Sequence, residues 1–149
     1  MNVQTTLNFY GRTEEAVEFY RRAIGAEILF MMRFRDCPDR SLMRPGTEEK
    51  IFHATFRIGS TEIMASDCGC EKSPAETAFA GFSFALRVDT EEKAERIFAA
   101  LGDGGQVQIP LVKTFFAARY GIVMDRFGIS WKIMVEAQTQ NQGGINKDG

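Results

Sequence analysis

Apolar and polar side chains alternate through residues 51–58. Phe52, Ala54, Phe56 and Ile58 fall on one side of an extended chain, and His53, Thr55 and Arg57 on the other. Three further stretches show the same period. In Gly81–Val88, Phe82, Phe84, Leu86 and Val88 oppose Ser83, Ala85 and Arg87. In Ser130–Ala137, Trp131, Ile133 and Val135 oppose Lys132, Met134 and Glu136, and in Val3–Tyr10, Val3, Leu7 and Phe9 oppose Gln4, Thr6 and Asn8. Each strand thus has one apolar side suited to packing under a helix and one mixed side. A mixed side is either solvated or, in a curved sheet, turned inward as a binding surface. Two segments change to helical period: Val17, Tyr20 and Ile24, and Ala94, Ile97, Phe98 and Leu101. Thr13 and Thr90 are expected as their N-caps, each followed by two glutamates that suit the helix dipole. Gly25 and Gly102 are expected in the left-handed position beyond each helix.

These segments repeat. Thr13-Glu14-Glu15 with Glu18, Ala23, Ile24 and Gly25 is matched at equal offsets by Thr90-Glu91-Glu92 with Glu95, Ala100, Leu101 and Gly102. Arg57-Ile58-Gly59 through Met64 is echoed, with one insertion, by Arg126-Phe127-Gly128 through Met134. Strands at Glu27–Arg35, Ile51–Ile58 and Thr61–Ser66 follow the first helix. Strands at Gln106–Pro110, Ala118–Met124 and Ser130–Ala137 follow the second. Gly59-Ser60 and Asp125–Gly128 read as hairpin turns. The prediction is an α+β fold of two βαβββ modules with antiparallel-rich mixed sheets; that the sheets curve around a central cleft is implied only by the family resemblance given below. Residues 1–137 form one domain with modules at 1–67 and 81–137, joined by 68–80, and 138–149 form a flexible tail. Residues 36–49, with Pro38 and Pro45-Gly46, make a long loop of the kind that covers a site.

Composition narrows the function classes. The 149 residues are 44% hydrophobic and 26% charged with a net charge of −2, and the basic residues are dispersed, so no nucleic-acid footprint is visible. No apolar run approaches a bilayer span, and no charged-then-apolar leader opens the chain, which points to the cytoplasm. Cys37, Cys68 and Cys70 are an odd set that does not read as a disulfide framework. Thirteen Phe and seven Met supply bulk for a core or a pocket lining.

Five segments, in order and correctly spaced, carry a family resemblance. They are Tyr20-Arg21-Arg22-Ala23-Ile24-Gly25-Ala26-Glu27, His53-Ala54-Thr55-Phe56-Arg57-Ile58-Gly59, Ile63-Met64-Ala65-Ser66-Asp67, Thr114-Phe115-Phe116-Ala117, and Asp125-Arg126-Phe127-Gly128-Ile129-Ser130-Trp131. Across residues 3–137 the chain resembles the vicinal oxygen chelate superfamily of glyoxalase I, extradiol dioxygenases and bleomycin-resistance proteins. Within it the chain resembles the PhnB-like branch, often labelled a demethylubiquinone methyltransferase. The resemblance implies paired modules around a cleft, a homodimer, and in the metal enzymes one ligand on each of four strands. Carried over, those positions are Gln4, His53, Ser83 and Met134, where the metal enzymes have His, Glu or Gln. A hydroxyl and a thioether are poor donors for Ni, Zn, Mn or Fe. The expectation is therefore a small-molecule-binding protein with no cofactor. The alternatives are a metal-dependent lyase, isomerase or dioxygenase using Gln4, His53 and Glu136, and a metal-free enzyme using His53 or Glu136 as acid or base.

Each candidate has a plainer reading beside it. His53, the only histidine, is either a proton carrier or a hydrogen-bonded strand residue. Arg57, Arg87 and Lys132 either hold an anionic group or are solvated strand charges paired with Glu62 or Glu136. Cys68-Gly69-Cys70 is a soft-metal or redox pair, or a loop with incidental thiols. Phe115 and Phe116 line a pocket mouth, a dimer interface or the core. Gly102, Gly104 and Gly105 follow a helix rather than open one, so no phosphate-cradling loop is present.

Overall fold

A computed structural model describes residues 1–68 and 78–137. Gly69 and Cys70, most of the expected connection, and the expected tail from Gln138 lie outside the described residues. The elements run β1 (Thr6–Asn8), α1 (Thr13–Ile24), β2 (Glu27–Arg33), β3 (Ile51–Ile58), β4 (Thr61–Ser66), β5 (Phe84–Val88), α2 (Glu91–Gly102), β6 (Gln106–Val112), β7 (Ala117–Met124) and β8 (Ser130–Glu136). They form two four-stranded sheets, ordered β1-β4-β3-β2 and β5-β8-β7-β6. In each, the first strand pairs in parallel with the last, and the other pairings are antiparallel. The duplication read from the sequence is therefore a duplication of topology.

Both sheets bury their apolar sides in one shared core. Leu7, Ala54, Phe56, Ile63 and Ala65 from the first sheet and Val123, Trp131, Ile133 and Val135 from the second cluster with Ala16, Val17, Tyr20, Ala94, Ile97 and Leu101 of the helices. Tyr20 stacks on Phe56 at 5.9 Å and meets Trp131 at 5.5 Å, so this one side chain touches both sheets. The layers run sheet, helices, sheet.

Several local expectations are corrected. The first strand covers only Thr6–Asn8, and Val3, expected on the helix side, is 92% exposed. Gln4 therefore precedes β1, and Ser83 precedes β5, which starts at Phe84. The strand expected over Glu27–Arg35 stops at Arg33, where a 3-10 turn begins, and β6 extends two residues past Pro110.

The two helix starts also differ. Thr90 caps α2 as expected, accepting from the Lys93 amide at 3.2 Å. Thr13 does not cap α1; it is already the first helical residue, and its buried hydroxyl donates to Asp67 Oδ1 at 2.6 Å. That carboxylate takes over the cap, accepting from the amides of Gly11 at 2.8 Å, Thr13 at 3.0 Å and Ile51 at 2.9 Å. It also holds a turn whose Tyr10 has a φ of 49°. Gly25 ends α1 at a φ of 69°, as expected. Gly102 remains inside α2, and Gly104 takes the left-handed position.

Candidate functional site: two open sheet faces

The position of the site follows from how the modules are joined. Asp125, just beyond β7, is 2% exposed, and its Oδ2 accepts from the Tyr20 hydroxyl at 2.6 Å and from Trp131 Nε1 at 2.9 Å. Its Oδ1 accepts from the amides of Phe127 at 2.9 Å and Ile129 at 3.1 Å, forming the tight turn into β8. A buried carboxylate with four donors ties α1 of the first module to the second sheet. With the helix sides joined in this way, the mixed sides point away from the core.

On the first mixed face, directly paired residues on adjacent strands share a side. Phe30, Thr55, Met64 and Thr6 form one row across β2, β3, β4 and β1. Met32 lies opposite His53. His53 is half-buried, its Nε2 is 3.2 Å from Thr55 Oγ1, and its ring is 6.0 Å from that of Phe30. Arg57 lies opposite both Glu27 and Glu62 and ion-pairs with Glu27.

The second face repeats the arrangement. Val112, Tyr120, Met134 and Arg87 form the corresponding row across β6, β7, β8 and β5. Met64 and Met134, matched in the sequence repeat, thus hold equivalent central positions. Phe116 packs against Tyr120 at 5.1 Å, extending the aromatic surface toward the β6–β7 turn. Arg87 pairs with Glu136 at 3.5 Å, and Lys132 is exposed on the same face, two residues from Met134.

The expected site residues therefore fall into two groups. His53 and Arg57 lie on the first face, and Arg87, Met134 and Glu136 on the second. Gln4 and Ser83 lie just ahead of the edge strands. The two groups do not meet within one chain, because each face is on the side of its sheet away from the shared core. One chain thus carries two separate open faces, both turned away from the shared core. The two arginines read as anion holders both have carboxylate partners. A cavity of about 680 Å³ opens beside the second face, lined by Thr90, Lys113, Phe115, Ala117, Val135 and Glu136, and reaches neither His53 nor Met134.

The donors do not make a metal centre in one chain. Among the described residues no group of three His, Cys, Asp or Glu side chains could hold an ion. β4 separates the strands that follow Gln4 and carry His53, and Glu136 is on the other sheet.

Sequence reasoning missed Phe30, Met32, Met64 and Tyr120. Plain alternation places Phe30 and Met32 with Ile28 on the helix side. A bulge between Ile28 and Phe30 turns them over, and a matching shift lies between Val107 and Ile109. Met64 was legible as the repeat partner of Met134.

Paired βαβββ modules with this strand order form a glyoxalase-like fold, the architecture of vicinal oxygen chelate proteins. Solved glyoxalase-related structures share it at 14% and 19% identity. The family model described as 3-demethylubiquinone-9 3-methyltransferase matches residues 1–134, and the chain belongs to that PhnB-like family. It is 30% identical to YjdN of Escherichia coli (strain K12) over 152 residues, covering 95% of this chain and 100% of that protein. The crystal structure of PA1353 from Pseudomonas aeruginosa is similar at 37% identity and a TM-score of 0.74, over 91% of this chain and 98% of that one. The PhnB protein from Bacillus cereus is similar at 28% identity and a TM-score of 0.75, over 91% and 99%.

Proposed function

We propose that this protein is a homodimeric, cytoplasmic small-molecule-binding protein with no resident metal. Its ligand lies between the first mixed face of one copy and the second mixed face of the other. The observation that carries this reading is that both mixed faces lie outside the shared core: a hollow needs two facing walls, and one chain does not bring its own two together. A second copy related by a two-fold axis completes two equivalent hollows at once. Exposed apolar side chains on those faces, Phe30 at 46% and Val112 at 50%, support a buried destination for them. The free thiols of Cys37 and Cys68 suit a reducing compartment. Among the described residues no helix is long and apolar enough to cross a membrane.

Assembled in this way, Gln4 and His53 of one copy face Met134 and Glu136 of the other. An amide, an imidazole, a thioether and a carboxylate already paired with Arg87 are a weak set for a divalent ion. The test is sedimentation equilibrium together with elemental analysis of protein purified without chelators. A dimer lacking stoichiometric metal is expected. A stoichiometric divalent ion that disappears in His53→Ala would replace this reading with a metal-dependent enzyme. A monomer at micromolar concentration would remove the hollow altogether. The family's description names a methyl transfer, so calorimetric titration with S-adenosylmethionine is the second check. No saturable binding is expected, since Gly102 ends α2 and Gly104 and Gly105 follow it, and none of them opens a helix.

A further inference from the structure

We propose that the hollow selects an uncharged aromatic small molecule, held between Met64 of one copy and Met134 of the other. This rests on the two-copy hollow proposed above and adds its ligand class. Three observations point the same way. First, the rows are soft and mostly uncharged: Thr6, Phe30, Thr55 and Met64 on one wall, and Val112, Tyr120 and Met134 on the other, where the one charge, Arg87 on the edge strand, is paired with Glu136. Thioethers pack adaptably against ring faces and edges, and each wall also offers a ring, Phe30 and Tyr120.

Second, the arginines on the two walls already have carboxylate partners. Arg57 pairs with Glu27 and Arg87 with Glu136, and Lys132 is exposed, two residues along β8 from Met134. An anionic ligand held between the two methionines would have to break an arginine–carboxylate pair, lean on the exposed and solvated Lys132, or stay uncompensated, and a desolvated, unpaired charge is costly.

Third, polar contacts are few and fixed. His53 and Thr55 hold each other at 3.2 Å, and together they offer a ligand edge one donor and one acceptor site. That suits a single hydroxyl, carbonyl or ring nitrogen on an otherwise apolar ring system.

Two dyes that share a ring system and differ by one sulfonate make the test: neutral N-phenyl-1-naphthylamine and anionic 1-anilinonaphthalene-8-sulfonate. Both are titrated by fluorescence into the native wild-type protein, with its oligomeric state measured in the same buffer. The neutral dye is expected to bind about tenfold tighter or more, the difference expected for an uncompensated charge. Met64→Glu and Met134→Glu should each lower its affinity about tenfold, and Met64→Leu should keep it within about threefold. Equal or tighter binding of the sulfonate by a dimer would overturn the ligand class and leave the hollow standing. Glutamate variants that keep full affinity while remaining folded would place the dye elsewhere and overturn the proposal too. A protein that binds neither dye, or a monomer, overturns both readings.

Discussion

Tyr20 on α1 donates its hydroxyl to the Asp125 carboxylate across 2.6 Å, and this contact joins residues 105 positions apart in two different modules. Trp131 reaches the same oxygen, and Tyr20 lies against both sheets. The contact faces the modules' helix sides toward each other, and so decides that their mixed sides look outward.

Tyr20→Phe is therefore expected to destabilise the fold by about 1–3 kcal/mol, the range for a buried hydrogen bond to a charged group. Trp131 is the only tryptophan and lies within the network, so urea unfolding followed by its fluorescence reads the change directly. Unchanged stability would mean that the hydroxyl contributes nothing to joining the modules.

The same pair sets an alkaline limit. Burial, and then the Asp125 charge, raise the Tyr20 phenol well above its usual value of 10.0. The protonated form is the one the fold favours. Its contribution is full below about pH 10, where the unfolded chain also keeps the proton. It is lost as pH rises from there through the raised folded value. Stability should fall above about pH 10 in the wild type, and less steeply in Tyr20→Phe; parallel curves would contradict the assignment.

Asp67 is the corresponding fixture at the start of α1. Asp67→Ala leaves the Gly11, Thr13 and Ile51 amides and the Thr13 hydroxyl without their acceptor, at a cost of about 3 kcal/mol. Hydrogen exchange should accelerate first at those three amides. Uniform acceleration across the chain would instead indicate a global effect.

Gly105 sits where a Cβ would come within 2.0 Å of the Met124 carbonyl oxygen, which belongs to backbone and cannot swing aside. Gly105→Ala is expected to cost about 1–3 kcal/mol as the β6–β7 pairing shifts. A thermal melt close to wild type would show that this end of the sheet yields easily.

His53→Ala should change stability by less than about 1 kcal/mol, because the residue is half-buried and its contact with Thr55 lies on an open face. Ligand affinity should fall while metal content stays the same. A large loss of stability would make His53 a structural residue instead.

Much of the fold was legible because its signals are local. Strand alternation at 51–58, the helical stripes and the repeated Thr-Glu-Glu fix elements whose side chains must be apolar on one side only. The capping of α1 was not legible in the same way. Thr13 has the residue type of a cap, but the acceptor comes from Asp67, 54 residues away, and leaves Thr13 inside the helix.

By itself the sequence determined that there are two βαβββ modules, that each sheet has one apolar and one mixed side, and that His53, Arg57, Arg87, Met134 and Glu136 lie on the mixed sides. Those properties follow from the two-residue period of an extended chain, which operates over a few neighbouring residues. Only the tertiary structure decided that Phe30 and Met32 join a mixed side, because a bulge inverts the period and plain alternation does not reveal it. Only the tertiary structure, too, turned both mixed sides away from a shared core. That choice depends on which surfaces of two similar modules pack together, and it is made by long-range contacts such as Tyr20 with Asp125.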